Sequence, residues 1–137
     1  VNDDINFMKA IEEEGCLIVA DTLCFGSRFF ENRVAEIDDP IKALSRGYLD
    51  DVKCPRMIGQ YEKRLAYMME KAKDARVDGV ILQNIRFCDL HGSENGVLEK
   101  EFEAAGIPCL LIERDYGSQM ETGRIKMRVD AFLRRIR

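Results

Sequence analysis

Three short apolar runs stand out along the chain, and each stops at a polar residue. Cys16-Leu-Ile-Val-Ala20 ends at Asp21, Gly79-Val-Ile-Leu82 at Gln83-Asn84, and Pro108-Cys-Leu-Leu-Ile112 at Glu113. Short continuous runs rich in Val, Ile and Leu suit strands that are covered on both faces. Between them, apolar positions recur at helical spacing. Asp3 or Asp4 can cap a helix with Ile5, Met8 and Ile11 on one face, closed by Gly15. Asp39-Pro40 opens a second, with proline at its first position. The longest pattern runs from Met57 to Ala75, with Ile58, Tyr61, Leu65, Met68, Met69 and Ala72 in phase. Two more follow: Gly96 to Ala105, stopped by Gly106, and Thr122 to Ile136 with Ile125, Val129, Phe132, Leu133 and Ile136 together.

Alternating strand and helix patterns predict an α/β fold built on a parallel sheet. The expected architecture is a three-layer one, with helices on both faces of the sheet. Three strands make a small sheet, and the chain opens directly on a helix. A fourth strand is therefore expected upstream, and residues 1–137 are expected to be one carboxy-terminal α/β domain, a fragment of a longer subunit. The methionines read as filler of an irregular core.

Composition narrows the partners. The 137 residues are 46% hydrophobic and 34% charged, with a net charge of −4 and a pI near 5.1, so disorder is excluded and nucleic acid is not an expected partner. The cluster Arg134, Arg135 and Arg137 suits a helix C-terminus, where cations complement the helix dipole. No apolar run approaches the roughly 20 residues of a membrane helix, and no export leader is visible. Five cysteines without a CxxC pair read as thiols, and a cytoplasmic home is expected.

In parallel α/β sheets, ligands bind beyond the carboxyl ends of the strands. Three loops fall there: Asp21-Thr-Leu-Cys-Phe-Gly-Ser-Arg28, Asn84-Ile-Arg-Phe-Cys-Asp-Leu-His-Gly-Ser93 and Glu113-Arg-Asp-Tyr-Gly117. They bring candidate chemistry to one place: Cys24, Ser27 and Arg28 from the first, Cys88, Asp89 and His91 from the second, Glu113 from the third. Cys16 and Cys109 fall inside strand runs and read as buried, inert thiols, and Cys54 before Pro55 reads as structural. Cys88 admits several readings on chemistry alone. It suits a nucleophile with His91 as base, a zinc ligand with His91, one thiolate of an iron–sulfur cluster, or a half-buried loop thiol.

Three ordered segments narrow the choice. They are Val19-Ala-Asp-Thr-Leu-Cys-Phe-Gly-Ser-Arg-Phe29, Asp78-Gly-Val-Ile-Leu-Gln-Asn-Ile-Arg-Phe-Cys-Asp89 and Glu103-Ala-Ala-Gly-Ile-Pro-Cys-Leu-Leu-Ile-Glu-Arg-Asp-Tyr-Gly117. With Gly123-Arg-Ile-Lys-Met-Arg-Val-Asp-Ala-Phe132, they resemble the carboxy-terminal part of subunits of the 2-hydroxyacyl-CoA dehydratase and benzoyl-CoA reductase family. The resemblance covers nearly the whole chain in order. It implies a four-iron four-sulfur (4Fe-4S) cluster held by three cysteines per subunit, an acyl-CoA substrate reacting as a ketyl radical, a second homologous subunit and an ATP-dependent activator protein. It assigns Cys88, in Phe-Cys-Asp, as the metal ligand carried by this chain. It places Cys24 near the cluster rather than on it, with Ser27, Arg28, Asp89 and Glu113 around the site or facing substrate. The catalytic residues stay unassigned. The chain departs from the family pattern at Leu90-His91, where proline commonly follows, and at Phe25, where threonine is common. Both departures lie at the expected site and leave the choice of acyl-CoA open.

A different class of function, a receiver-like regulatory or binding module, also fits an α/β domain of this size. Asp21 would serve it, but no lysine follows Ile112 at the strand end, and cysteines stand where its carboxylates belong.

Overall fold

The computed structural model describes residues 5–50, 52–115 and 122–137. The Asp3–Asp4 cap and the Tyr116-Gly117 end of the third loop therefore lie outside the described residues. Six α-helices and two strands are described: α1 (Ile5–Glu12), α2 (Ser27–Phe30), α3 (Pro40–Ser45), α4 (Tyr61–Asp74), β1 (Val80–Ile85), α5 (Asp89–Ala104), β2 (Cys109–Arg114) and α6 (Thr122–Ile136). A π-helical turn, Arg46–Asp50, continues directly from α3.

The sheet is parallel and two-stranded, with Val80 opposite Cys109 and Ile85 opposite Arg114. Side chains alternate between its faces. On one face Ile81, Leu110 and Ile112 meet Ile11 of α1 and Ile125, Val129 and Leu133 of α6. On the other, Val80, Leu82, Cys109 and Leu111 meet Leu65, Met68, Met69 and Ala72 of α4 and Leu98 and Phe102 of α5. Helices on both faces are thus as expected, but the expected three-stranded sheet is not.

The run Cys16–Ala20 forms no strand. Its residues alternate in burial: Cys16 and Ile18 pack on the α1/α6 cluster, whereas Leu17 and Val19 are 74% and 54% exposed. The amide of Ile18 bonds the Glu12 carboxylate at 3.1 Å rather than a strand partner. Apolar content alone does not make a strand without a neighbour whose backbone can pair with it.

Helix boundaries follow local chemistry. Asp39 caps α3 by accepting from the amides of Ile41 at 3.0 Å and Lys42 at 3.1 Å, and Pro40 takes the first position. The Met57 pattern becomes a turn followed by α4, and Ile58 is 98% exposed instead of sharing the core face. In α1 the buried positions are Ala10 and Ile11, while Ile5 and Met8 are exposed. Among the described residues, no helix is long and apolar enough to cross a membrane.

Candidate functional site

The site is built around the first turn of α5. β1 ends at Ile85, and Phe87 adopts a left-handed backbone with φ 66°. That reversal lets the Cys88 amide bond the Ile85 carbonyl at 2.8 Å, and Cys88 becomes the N-cap of a 16-residue helix. The first helical bond runs from the Gly92 amide to the Cys88 carbonyl at 2.9 Å. The Cys88 side chain makes no capping bond. First-turn amides have no partner within a helix, so the half-buried thiol sits at the positive end of the α5 dipole, a setting suited to a metal-bound sulfur.

Cys88 opens on a cleft of about 590 Å³, lined also by Asn84, Asp89, Ser93 and Glu113. Glu113 reaches it because parallel pairing sets it opposite Asn84. Arg86 bridges Glu113 at 3.5 Å and Asp115 at 2.8 Å across the rim. The Asn84 Oδ1 atom is buried and has no hydrogen-bond partner.

In the first turn of α5, His91 Nε2 lies 3.7 Å from Cys24 Sγ. The loop that carries Cys24 is organised by Asp21. Its Oδ1 accepts from the amides of Leu23 and Ser27, each at 3.0 Å. A Cβ at position 26 would come within 1.8 Å of that oxygen, which is why glycine stands there. The buried Ser27 hydroxyl donates to the Asp21 carbonyl. Ser27 therefore holds the loop and is not a free donor at the mouth. Arg28 acts through its charge: burial first, then Arg28, hold the His91 pKa below its ordinary 6.5. His91 is accordingly a neutral imidazole at pH 7.

The structure thus brings Cys24, Cys88, Asp89, His91 and Glu113 around one helix end. The other thiols are elsewhere. Cys109 is buried in β2, with its pKa pushed up to about 12 by burial. Cys16, outside any strand, donates to the Ile11 carbonyl at 3.2 Å, and burial raises its pKa. The Cys54 carbonyl accepts from Arg64 at 3.1 Å, in keeping with a structural turn.

Arg64 was not singled out from sequence. It is buried on α4, bonds Glu94 of α5 through Nε at 3.2 Å and through Nη2, and donates from Nη1 to the Met57 carbonyl at 2.9 Å. One signal was available: an arginine in phase with Tyr61, Leu65 and Met68 on an apolar helix face.

A 4Fe-4S cluster fits this end of the fold in part. Cys88 would offer the cluster its sulfur, beside first-turn amides suited to bonding sulfur. Among the described residues no group of three metal-ligating side chains converges, so a cluster held at Cys88 takes its remaining ligands from outside them.

The family profile described as 2-hydroxyglutaryl-CoA dehydratase, D-component, matches residues 1–136. The chain belongs to this dehydratase family. Among curated members and relatives, the (R)-phenyllactyl-CoA dehydratase beta subunit of Clostridium sporogenes is 31% identical over 84% of the chain and 30% of its own length. A benzoyl-CoA reductase subunit of Thauera aromatica is 31% identical over 62% of the chain and 22% of its own length. The chain spans less than a third of either relative. Dehydratase-family membership removes the ground for the receiver-like reading.

Proposed function

We propose that this domain forms part of an iron–sulfur subunit of a 2-hydroxyacyl-CoA dehydratase or benzoyl-CoA reductase, with Cys88 as its one ligand to a 4Fe-4S cluster. The observation that carries this reading is the position of Cys88: at the N-cap of α5, in the cleft shared with Asn84 and Glu113, within the Phe-Cys-Asp segment of a family member. Sulfur suits a soft metal such as iron, and the first-turn amides of α5 stand beside it.

When bound, the cluster supplies a low-potential electron and a Lewis-acidic iron for the thioester oxygen. The chain's own groups do the rest. Asn84 and Glu113 line the cleft beside Cys88, where the buried amide oxygen of Asn84 can accept a hydrogen bond from a bound group. The Asp21–Ser27 loop holds Cys24 against His91 in the first turn of α5, near but not on the cluster. The remaining cysteine ligands, the second subunit and the ATP-dependent activator belong to the rest of the enzyme. The test is iron and sulfide content, with electron paramagnetic resonance, of a Cys88→Ser variant of the full-length protein. Loss of the cluster is expected, and full iron retention overturns the assignment.

A further inference from the structure

His91 follows Cys88 closely in sequence, yet its Nε2 meets the sulfur of a different loop. Cys24 Sγ lies 3.7 Å away, within reach of an S–H···N hydrogen bond. The cluster reading gives this pair no chemical step of its own. Cys24 is exposed, so its sulfur is open to reagents, whereas burial and the Arg28 charge keep the imidazole neutral. With its proton on Nδ1, a neutral ring presents Nε2 as an acceptor for the thiol proton. A thiol beside such a base is the arrangement that activates cysteine as a nucleophile.

The other buried thiols have no such partner, because His91 is the one histidine of the chain. Cys16 donates to the Ile11 carbonyl, and Cys109 is buried in β2. Both members of the pair are held in place. Asp21 Oδ1 accepts from the amides of Leu23 and Ser27, on either side of Cys24, and His91 sits in the first turn of α5. Next to the sulfur, Phe25 is 62% exposed, with its ring 6.2 Å from that of Phe29, also exposed. That apolar surface suits a carbon reagent. Two side chains are too few for a metal site, and no third ligating group joins them among the described residues.

We propose that Cys24 and His91 form a thiol–imidazole modification site for alkenes conjugated to a carbonyl group. The thiol proton passes to Nε2 as the sulfur bonds the alkene carbon remote from the carbonyl. The alkene π pair moves toward the carbonyl oxygen, and the imidazolium returns the proton to the carbon beside the carbonyl. No oxidant or reductant is consumed, and elimination along the same path restores the thiol. The site goes beyond the cluster reading and does not depend on it.

The test treats the full-length protein at neutral pH with but-2-enal and, separately, with the but-2-enoyl thioester of N-acetylcysteamine. Peptide mass spectrometry locates the adducts. Cys24 is expected to react with both on the order of 100-fold faster than glutathione, the lower end of what a positioned base contributes. His91→Asn is expected to return Cys24 to the rate of glutathione. Asp21→Ala, which keeps the imidazole and frees the loop, is expected to do the same. In both variants Cys109 should stay unlabelled, which marks the fold as intact. A larger advantage over glutathione for the thioester than for the aldehyde identifies an acyl thioester as the natural source, and the reverse identifies a free unsaturated aldehyde. Cys24 reacting no faster than glutathione overturns the proposal. So does a rate that ignores both substitutions, or adducts that favour Cys54 over Cys24.

Discussion

Cys24 and His91, 67 residues apart in sequence, meet with Sγ 3.7 Å from Nε2. The contact ties the first loop to the first turn of α5, one turn from Cys88. It leaves the two exposed or half-exposed thiols in different settings: Cys24 against a neutral imidazole, Cys88 at the N-cap of α5 with no capping bond from its side chain.

That difference sets the first prediction. In the full-length protein, Cys88→Ser should lose its cluster, because a hydroxyl is a poor substitute for a thiolate on iron. Cys24→Ser should keep most of its iron and lower turnover about 10–100-fold, the usual scale for groups that orient a ligand without binding the metal. Iron assays on the two variants check this. Iron lost from Cys24→Ser and kept by Cys88→Ser would reverse the assignment.

Asp21 and Gly26 should behave as one unit. A Cβ at position 26 displaces the Asp21 carboxylate, so Gly26→Ala and Asp21→Ala should each cost about 2–4 kcal/mol, through the same two amide hydrogen bonds. The double variant should be little worse than either alone, giving a coupling of the size seen for residues that share a contact. Urea unfolding of the three variants measures it, and simple additivity would show that the two residues act separately.

Arg64→Ala should be among the most destabilising substitutions. It leaves the Glu94 carboxylate without its partner in a place where the arginine is only 4% exposed, a loss of about 3–5 kcal/mol for a broken buried pair. Arg64→Met with Glu94→Gln should recover part of it, since no unpaired charge then remains. A stability loss below about 1 kcal/mol for Arg64→Ala would place the pair effectively in solvent.

His91 predicts a pH dependence with a definite sign. Its pKa in the folded chain is below the ordinary 6.5, by burial and then by Arg28. Between those two values the unfolded chain binds more protons, so stability rises with pH through that window and levels above it. Falling pH therefore destabilises. His91→Asn should flatten that part of the profile, as read from unfolding midpoints across roughly pH 5 to 7.5, the range in which histidine titrates. An unchanged slope would assign it to other groups.

Much of this arrangement was legible in the residues. Periodicity placed α6 at Thr122 to Ile136, and Asp39-Pro40 placed the start of α3, because caps and apolar stripes act within one or two turns. The strand runs at 79–82 and 108–112 became β1 and β2. The start of α5 was set too late, at Gly96 rather than Asp89, since His91-Gly-Ser-Glu-Asn-Gly96 has poor helix propensity. Packing of Asn95, Leu98 and Phe102 and the Arg64–Glu94 bridge override that propensity.

The sequence by itself determined the helix-forming stripes, the parallel direction of the strands at 79–82 and 108–112, the place of the candidate loops, and the ordered motifs that mark the family. All of these depend on neighbours within a few residues or on segment order. Tertiary structure alone decided that Cys16–Ala20 stays unpaired, that Cys88 caps a helix, that Cys24 meets His91, and that Arg64 is buried against Glu94. Those depend on which surfaces the packed sheet and helices leave beside one another, and spacing along a chain carries no measure of that.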